Sequence, residues 1–282
     1  MPMLTESRKV SVYISTCNRL DKLRRAVESV LRQDYVDIEV LICDDASSDG
    51  TQEYVENLLL RDKRVIYLRN VVNKGACATR NLGINAATGY FITGLDDDDE
   101  FRENRISYFL SNWDDKYSFI CANFTNVHPD GHAKDYYKKH GNPISFTYKK
   151  ILFENEASNQ IFTITKRLQI IGGFDPSVKR LQDWDTWLRL SYEFGAFLRL
   201  PKSTYIMNHD HRANEIRVSQ NEMITESLYT LVERNNNIYM ENEKRYMIFL
   251  ISCMQKKATF VDSLYWSLLK LNPKHLIKYI MQ

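Results

Sequence analysis

One stretch of the sequence, residues 90–99 with the letters YFITGLDDDD, ends an apolar run with four consecutive aspartates. The apolar part is typical of a buried strand, so the carboxylates fall where that strand ends. Like charges this close repel one another by kilocalories unless water or a cation neutralises them, and hard divalent ions such as Mg2+ take carboxylate oxygens as ligands. The stretch therefore predicts either a solvated acidic turn or a strand end that binds a metal ion.

Strand-like and helix-like segments alternate from the N-terminus up to this stretch. The hydrophobic pattern predicts strands at residues 10–16, 38–43, 65–68 and 90–95, and helices at residues 20–31, 51–60 and 75–87. Such alternation predicts an α/β fold with a parallel sheet, and ligands of these sheets bind at the carboxyl ends of the strands. We therefore expect the polar residues that follow the four strands to line one crevice.

The polar residues at the four strand ends suit a nucleotide and a metal ion. Hydroxyls, a carboxylate and an arginine match the hydrogen-bonding edges of a nucleoside, while the aspartates match a metal ion that carries its phosphates. Each cluster alone is also typical of ordinary helix caps and turns. The clusters are, in strand order, Ser15, Thr16, Asn18 and Arg19; Asp44, Asp45, Ser47 and Asp49; Asn70, Asn73 and Lys74; and the aspartates of residues 96–99.

Composition and charge exclude several classes of protein. The 282 residues are 44% hydrophobic, which is ample for a packed core, and the net charge of +2 provides no general field for nucleic acid. No apolar run reaches the roughly 18 residues that a membrane-spanning helix requires. The N-terminal residues lack the pattern of a secretion signal, and the five cysteines lack CxxC spacing, so the expected location is the cytoplasm.

Three nucleotide or metal motifs fail on their context. Residues 45–56 match the spacing of a calcium-binding EF-hand loop, from Asp45 at position 1 to Glu56 at position 12. An EF-hand needs a helix before the loop, whereas the preceding residues read as a buried strand. The first strand-to-helix turn has no glycine for a dinucleotide, and the chain has no GxxxxGK[ST] loop. We therefore reject these three motifs.

Four ordered motifs resemble the family-2 inverting glycosyltransferases, and among them the bacterial transferases that build O-antigen and capsule. The resemblance covers about residues 8–218 and rests on VSVYISTCNR at 10–19, DDASSDGT at 44–51, NKGACATRNLG at 73–83 and LDDDD at 95–99. It implies the GT-A fold, in which a Rossmann-like nucleotide-binding half contributes to a mixed, mostly parallel sheet. Four motifs in order are far more specific than a lone DxD pair.

The resemblance also implies roles for individual residues. In the nucleotide site, Ser15, Thr16 and Arg19 border the base, Asp45 contacts uracil or ribose, Arg80 approaches the base or the diphosphate, and Asp97 faces the ribose. Asp98 matches the carboxylate that touches the metal ion, Mn2+ or Mg2+, and Asp96 assists through a metal-bound water or the donor sugar. In a later loop, His211 is the preferred histidine for the metal or the diphosphate, with His209 as second choice, and Arg212 and Arg217 are alternative phosphate partners.

Asp183 matches the catalytic base of the family, at the start of a helix. A sugar hydroxyl is a poor nucleophile, and a positioned carboxylate that accepts its proton typically contributes 10²–10⁴-fold to the rate. Relatives usually carry a glutamate before this aspartate, and here Gln182 stands instead. The same aspartate would also serve as the N-cap of a helix that begins at Trp184, and the two roles are compatible.

The C-terminal segment differs in charge from the rest of the chain. From Cys253 onward there are five lysines and one acidic residue, a net charge of +4 on a chain whose total is +2. Its apolar residues recur at helical spacing, which fits either a helix packed on the protein or one that lies on an anionic membrane surface. The expected organisation is a nucleotide-sugar half at 1–110, an acceptor and catalytic-base half at 111–218, and a helical region at 219–282.

Together these features predict a metal-dependent inverting glycosyltransferase of the hexosyltransferase type. It would move a sugar from a nucleotide donor, a UDP-sugar, to a saccharide acceptor linked to polyprenyl diphosphate, for surface polysaccharide synthesis. The expected location is the cytoplasm, with peripheral contact at the inner face of the cytoplasmic membrane as the open alternative for the C-terminal helices. Two other functions stay open on the residues alone: a nucleotidyltransferase, and a non-catalytic module that binds nucleotide or calcium.

Overall fold

Four parallel strands form the first half of the central sheet. The computed structural model describes residues 8–137, 141–210 and 224–281. Its first elements are β1 (Val10–Thr16), α1 (Leu20–Leu31), β2 (Ile38–Asp44), α2 (Thr51–Leu59), β3 (Val65–Arg69), α3 (Ala76–Ala86) and β4 (Phe91–Asp96). The strands lie in the order β3-β2-β1-β4 and pair in parallel. The predicted alternation and the shared carboxyl edge are therefore confirmed.

The burial pattern explains why these segments become strands. Every residue of β2 is buried, as is nearly every residue of β1, because helices cover both faces of the sheet. On α1, Leu23, Val27 and Val30 recur at helical spacing and are fully buried, so this helix contributes one apolar stripe to the core.

The sheet continues with antiparallel and parallel strands in its second half. The elements are β5 (Glu100–Phe101), α4 (Arg105–Ser111), β6 (Ile120–Val127), β7 (Ala133–Asp135), β8 (Ile144–Phe146), α5 (Tyr148–Ile151), β9 (Phe162–Ile164), α6 (Thr165–Ile170), α7 (Gln182–Phe194) and β10 (Phe197–Asn208). Beyond β4 the order is β9-β6-β10-β5, with β9 antiparallel to β4 and β10 parallel to β6. The predicted mixed sheet of the GT-A fold is confirmed.

The region from about 126 to 158 is irregular by sequence, and in the structure it contains only short elements. Strands β7 and β8 have three residues each, and α5 has four. Their pairing partners, β6 and β10, are long central strands. The short elements therefore form through pairing with strands that are distant in sequence, which a local pattern does not reveal.

Four helices at the C-terminus belong to a second compact unit. They are α8 (Ile224–Arg234), α9 (Glu241–Met254), α10 (Phe260–Leu269) and α11 (Lys274–Ile280), and Lys179–Leu181 is grouped with them. Trp266 of α10 is buried against Tyr246 and Phe249 of α9. Among the helices that the structure describes, none combines the length and the apolar content needed to cross a bilayer.

Gly83 of α3 allows this helix to approach the sheet closely. A Cβ atom at this position would lie 2.6 Å from the Cβ of Tyr13 and 2.8 Å from the Sγ of Cys43, and both neighbours are buried in the strands beneath. These distances are well below van der Waals contact, so a methyl group would force the helix away from β1 and β2. That displacement matters because α3 carries Arg80 of the candidate site.

We expect Gly83→Ala to lower the free energy of unfolding by about 1–3 kcal/mol, as overpacking of a tight core does. Urea unfolding followed by tryptophan fluorescence measures the change. Gly141→Ala is the matched control, since a Cβ atom there would meet nothing within 4 Å. Equal stability of the Gly83 variant and the control would contradict the close approach.

Candidate functional site

The carboxyl ends of β1, β2 and β4 lie side by side at one edge of the sheet. The strand register pairs Thr16 with Asp44 and Ser15 with Asp96. The side chain of Ser15 is half-buried, whereas Thr16 is buried and donates a hydrogen bond from its hydroxyl to Asp97, with an oxygen-to-oxygen distance of 2.8 Å. The structure thus brings together two predicted nucleotide residues and the first two aspartates of the run.

The loops that follow β1 and β2 are locked to each other. The backbone N–H of Asn18 donates to the hydroxyl of Ser47 at 2.8 Å, and the backbone N–H of Ser48 donates to the amide oxygen of Asn18 at 2.7 Å. Asp49 accepts from the backbone N–H of Leu20 at 2.9 Å, at the start of α1. The segment that resembles an EF-hand loop therefore follows a strand and holds a turn, so its rejection as a calcium loop agrees with the structure.

The neighbouring carboxylates Asp44 and Asp45 have different partners. Asp44 is fully buried and accepts hydrogen bonds from Tyr67 at 2.6 Å and Arg69 at 3.1 Å, which joins the ends of β2 and β3. Asp45 accepts from Asn70 and from the backbone N–H groups of residues 74 and 75 at 2.8 Å each. Asp45 therefore fixes the loop that leads into α3, close to the predicted base-binding edge.

The four aspartates at the end of β4 point in different directions. Asp97 is buried and accepts from Thr16 and, at 3.0 Å, from Arg19. Burial raises the pKa of Asp97 to about 7, because the neighbouring charge of Arg19 does not fully offset the loss of water and the charge of Asp98 adds to it. A carboxyl with this pKa can donate as well as accept a hydrogen bond near neutral pH.

Asp99 has a structural role. Its carboxylate is buried and accepts from the hydroxyl of Tyr205 at 2.7 Å and from the backbone N–H of Asn208 at 2.9 Å. Burial and the charges of the neighbouring aspartates raise the pKa of Asp99 well above its ordinary value. The last aspartate of the run therefore anchors β10 to the end of β4.

Asp96 and Asp98 fit a hard divalent cation. The side chain of Asp98 is 15% exposed and lies 3.3 Å from a guanidinium nitrogen of Arg19. Burial and the charge of Asp96 raise the pKa of Asp98, so the two carboxylates repel each other in a partly dry place. A cation would relieve that repulsion, and Mg2+ commonly takes one or two carboxylates while waters and substrate phosphates complete its shell.

The described part of the protein contains no closed cage of metal-ligating side chains. In residues 8–137, 141–210 and 224–281, no three His, Cys, Asp or Glu side chains converge as a closed protein cage would require. His211, Arg212 and Arg217, the predicted partners of the metal or the diphosphate, lie outside the described residues. His209, the second-choice histidine, bonds the side chain of Asn126 at 2.8 Å and stacks on His128.

Asp183 lies in the first turn of α7. The helix begins at Gln182, so the expectation that Asp183 is the N-cap of a helix beginning at Trp184 was wrong by two residues. An acidic residue in the first turn is favoured there by the helix dipole. The side chain of Asp183 is 25% exposed, yet its Oδ1 atom is buried and accepts no hydrogen bond from the described residues.

Arg80 joins Asp183 to the end of β4. Its buried guanidinium donates to Asp96 Oδ1 at 2.9 Å and to Gln182 Oε1 at 2.8 Å, and it lies 3.8 Å from Asp183 Oδ1. Burial opposes the charge of Arg80, but the carboxylates of Asp96 and Asp183 outweigh that effect and raise the pKa of the guanidinium. We refer to Asp96, Arg80 and Asp183 as the charge bridge.

The environment of Asp183 suits a proton acceptor. Burial raises the pKa of Asp183 to about 7; the charge of Arg80 opposes the rise and the charge of Asp96 adds to it. Gln182, the residue before Asp183, is uncharged, and the carboxylate that influences the pKa of Asp183 is Asp96. A base works best when its pKa lies near the working pH.

Two amide side chains that the sequence analysis did not single out hold Asp96 from the other side. Gln160 Nε2 donates to Asp96 Oδ1 at 3.1 Å, and Asn159 Nδ2 donates to Asp96 Oδ2 at 3.1 Å and to the hydroxyl of Tyr205 at 3.1 Å. Both residues directly precede the short apolar run that forms β9. The sequence feature that could have pointed to these two site residues is a pair of amides just before a strand. Polar residues are so common at the ends of strands that this feature alone does not predict a site.

The sequence matches one known protein family over most of the first unit. Residues 11–170 match the sequence model of the family described as Glycosyl transferase family 2. A similar protein is the putative colanic acid biosynthesis glycosyl transferase WcaA of Escherichia coli K12, which is 32% identical over 256 residues, 88% of this chain and 88% of that protein.

Another relative and a solved structure extend the comparison. The GalNAc(5)-diNAcBac-PP-undecaprenol beta-1,3-glucosyltransferase of Campylobacter jejuni is 32% identical over 160 residues, 56% of this chain and 52% of that protein. The crystal structure of S. aureus TarS 1-349 in complex with UDP-GlcNAc superposes with a TM-score of 0.69 at 17% identity, covering 96% of this chain and 78% of that one. At this identity the superposition shows a shared fold.

The raised pKa of Asp183 predicts a pH-dependent cost to stability. The folded state keeps a proton on this carboxyl up to about pH 7, whereas the unfolded chain loses it near its ordinary pKa of 3.8. The native state therefore holds more protons between these values, and its stability falls as pH rises through them. Asp183→Asn has no carboxyl to ionise at this position, so its free energy of unfolding should not show this fall. The difference in free energy of unfolding, variant minus natural protein, should therefore increase from pH 5 to pH 7 and then level off.

Urea unfolding in the presence of a metal chelator, at half-unit steps from pH 5 to pH 8, measures that difference. Asp37→Asn, a change at an exposed aspartate, is the control and should give a difference that stays nearly constant with pH. A constant difference for Asp183→Asn would show that this carboxyl titrates normally.

Proposed function

The chain belongs to glycosyltransferase family 2, and we propose that it transfers a sugar from a UDP-sugar to a saccharide acceptor with inversion at the anomeric carbon. The acceptor is linked to polyprenyl diphosphate, and the product serves surface polysaccharide synthesis. The reaction uses a divalent metal ion, Mn2+ or Mg2+.

The observation that carries this proposal is the charge bridge. Asp183, a partly buried carboxylate whose pKa is raised to about 7, lies at the start of a helix, and the Arg80 guanidinium connects it to Asp96 at the end of β4. A base for the acceptor and a carboxylate site for the leaving group are thereby held in one rigid unit. Displacement at a sugar carbon requires both groups at once.

The nucleotide lies along the edge formed by β1, β2 and β4. Ser15, Thr16 and Arg19 border the base, Asp45 faces uracil or ribose, and Asp97 faces the ribose. The hydrogen bonds from Thr16 and Arg19 to Asp97 support this arrangement because they hold the acceptor groups of the site in place. Uracil is favoured because the similarly folded TarS has been crystallised with UDP and with UDP-GlcNAc.

Asp183 removes the proton of the attacking hydroxyl. The acceptor oxygen forms a bond to the anomeric carbon of the donor while its proton passes to the Asp183 carboxylate, and the bond from the anomeric carbon to the diphosphate breaks with both electrons remaining on UDP. Direct displacement inverts the configuration, so an α-linked donor gives a β-linked product. Arg80 approaches the diphosphate on the donor side while it keeps Asp183 ionisable near neutral pH.

Asp98 is the direct metal ligand in this proposal, and Asp96 assists through a metal-bound water or the donor sugar. A bound divalent ion supplies charge neutralisation for the departing diphosphate without a proton transfer. His211, which follows β10 in the sequence, is the proposed further partner of the metal or the diphosphate. Arg80, Asn159 and Gln160 orient Asp96 toward this role through the three hydrogen bonds that it accepts.

The acceptor class rests on the relatives. The Campylobacter jejuni protein is named for an undecaprenol-diphosphate acceptor, and a relative from Escherichia coli, 39% identical over 98 residues, 35% of this chain and 38% of that protein, is named as a UDP-Glc:alpha-D-GlcNAc-diphosphoundecaprenol beta-1,3-glucosyltransferase. Both act on sugars carried by a polyprenyl diphosphate, according to these names. We infer the same acceptor class here and a working place in the cytoplasm, at the membrane face where such carriers are exposed.

Asp183→Asn should lower the rate of sugar transfer by about 10²–10⁴-fold, since the variant lacks the proton acceptor. Release of UDP from a panel of UDP-sugars in the presence of an undecaprenol-diphosphate-linked acceptor measures the rate. Glu193→Gln, at an exposed position on the same helix, is the matched control and should keep full activity. An active Asp183→Asn variant would refute the role of the base, and pyrophosphate release from a nucleoside triphosphate would indicate a nucleotidyltransferase instead.

Asp98→Asn should remove the metal-dependent part of UDP binding. A ligand at 100 times its dissociation constant stabilises the folded state by about 2.7 kcal/mol, so UDP with Mn2+ should raise the melting temperature of the natural protein. The variant should show the same melting temperature with Mn2+ as with a chelator. Asp37→Asn is the control that should respond like the natural protein, and equal protection by UDP with and without metal would contradict the metal role.

A further inference from the structure

Helix α10 buries two serines and Trp266 but leaves most of its other apolar residues exposed to solvent. Ser263 is 1% exposed, whereas Val261 is 72% and Leu268 is 67% exposed. A surface helix usually shows the opposite arrangement, with the apolar stripe buried. This inverted orientation leaves a large part of the apolar surface of the helix without cover in the described structure.

Exposed apolar residues also lie in the turn after α10 and on α11. Leu271, in the turn between the two helices, is 91% exposed, and Ile277 and Ile280 of α11 are exposed as well. The rings of Phe260 and Tyr279 meet at a centroid distance of 5.9 Å, which joins the start of α10 to the end of α11. We define the C-terminal apolar face as Val261, Leu268, Leu269, Leu271, Ile277 and Ile280.

Buried contacts fix the orientation of both helices. Trp266 of α10 is buried with its ring 4.9 Å from that of Tyr246, and the hydroxyl of Tyr246 bonds His275 Nε2 at 2.9 Å. The hydroxyl of Ser267 accepts from the backbone N–H of Leu276 at 3.0 Å. Rotation of α10 to bury its leucines would break these contacts, so the apolar face is a fixed feature of the surface.

The segment that carries the C-terminal apolar face has a positive net charge. The five lysines of this segment, Lys256, Lys257, Lys270, Lys274 and Lys278, are all exposed, and Asp262 is the one acidic residue from Cys253 onward. Apolar side chains flanked by lysines on short helices match a surface that lies in the headgroup region of an anionic bilayer. Each lysine near such a surface adds about 1 kcal/mol to binding.

We propose that the C-terminal apolar face docks on an anionic lipid bilayer. A second copy of the chain is the disfavoured occupant, since a symmetric contact places the same patch on both partners and would bring the two sets of lysines together. Anionic headgroups supply the opposite charge, and the acyl region covers the leucines and isoleucines. This inference concerns the second unit alone and does not depend on the proposed chemistry.

Flotation of the full chain with lipid vesicles tests the proposal. The protein should float with vesicles that contain about one third phosphatidylglycerol and stay behind with pure phosphatidylcholine vesicles, and high salt should weaken the binding because it screens the lysines. The triple change Lys257→Gln, Lys274→Gln and Lys278→Gln should weaken binding by roughly fivefold per lysine. The triple change Val261→Ser, Leu268→Ser and Leu269→Ser should reduce binding to the background level.

Matched controls come from exposed residues of the first unit. Lys149→Gln, Lys150→Gln and Lys166→Gln together remove the same charge, and Val36→Ser, Leu60→Ser and Ile170→Ser together remove exposed apolar side chains. Both control proteins should float like the natural chain, and so should Asp183→Asn. The last result separates a failure of membrane docking from a failure of the proposed catalytic role.

Several outcomes would overturn the proposal. The proposal is wrong if the natural protein does not bind vesicles or binds neutral and anionic vesicles equally. It is also wrong if the apolar triple variant floats like the natural protein. A dimer in solution that the apolar triple change dissociates, with no flotation of the natural chain, would assign the face to a second copy instead. If a variant does not fold, the dependence of flotation on lipid charge and on salt, measured with the natural protein, still tests the proposal.

Discussion

The contact on which the site depends is a single buried guanidinium between two carboxylates. Arg80 lies 2.9 Å from Asp96 and 3.8 Å from Asp183, and Gln182 takes its remaining strong hydrogen bond. Removing these groups from water makes each charge expensive, and their mutual attraction offsets that cost only while all three stay in place. Because Arg80 comes from α3, Asp96 from β4 and Asp183 from α7, the charge bridge also ties these three elements to one another.

The run of four aspartates divides its work among its members. Asp99 anchors β10, and Asp97 accepts hydrogen bonds from Thr16 and Arg19 after β1. Asp96 belongs to the charge bridge, and Asp98 lies beside Arg19. Burial raises the pKa of Asp97, Asp98 and Asp99. Ionising these neighbouring carboxyls in the folded protein is therefore unfavourable. A divalent cation bound with a nucleotide diphosphate would offset part of this repulsion, so the proposed substrate binding depends on the charges of the aspartate run.

The sequence predicted the elements whose pattern is local and missed the contacts that depend on distant strands. Buried parallel strands read as apolar runs, so β1 to β4 and their shared edge could be predicted from the sequence. The family resemblance singled out Asp183, and its catalytic role stays a prediction. Asn159 and Gln160 could not, because β9 enters the sheet between β4 and β6, far from its neighbours in sequence. The start of α7 at Gln182 was missed by two residues, and the burial of Asp183 depends on a fold that no short pattern encodes.

The most direct test of the account is the pH dependence of kcat/KM for the natural protein and for Gln182→Glu, since this ratio reports the pKa of the base in the free enzyme. A glutamate at position 182 places a second carboxylate beside Asp183 and competes for Arg80, and both effects raise the pKa of the base. The account predicts a rate that increases with pH through a midpoint near 7 in the natural protein, and a more alkaline midpoint in the variant. An unchanged or more acidic midpoint would contradict the claim that the charge bridge sets the proton affinity of Asp183.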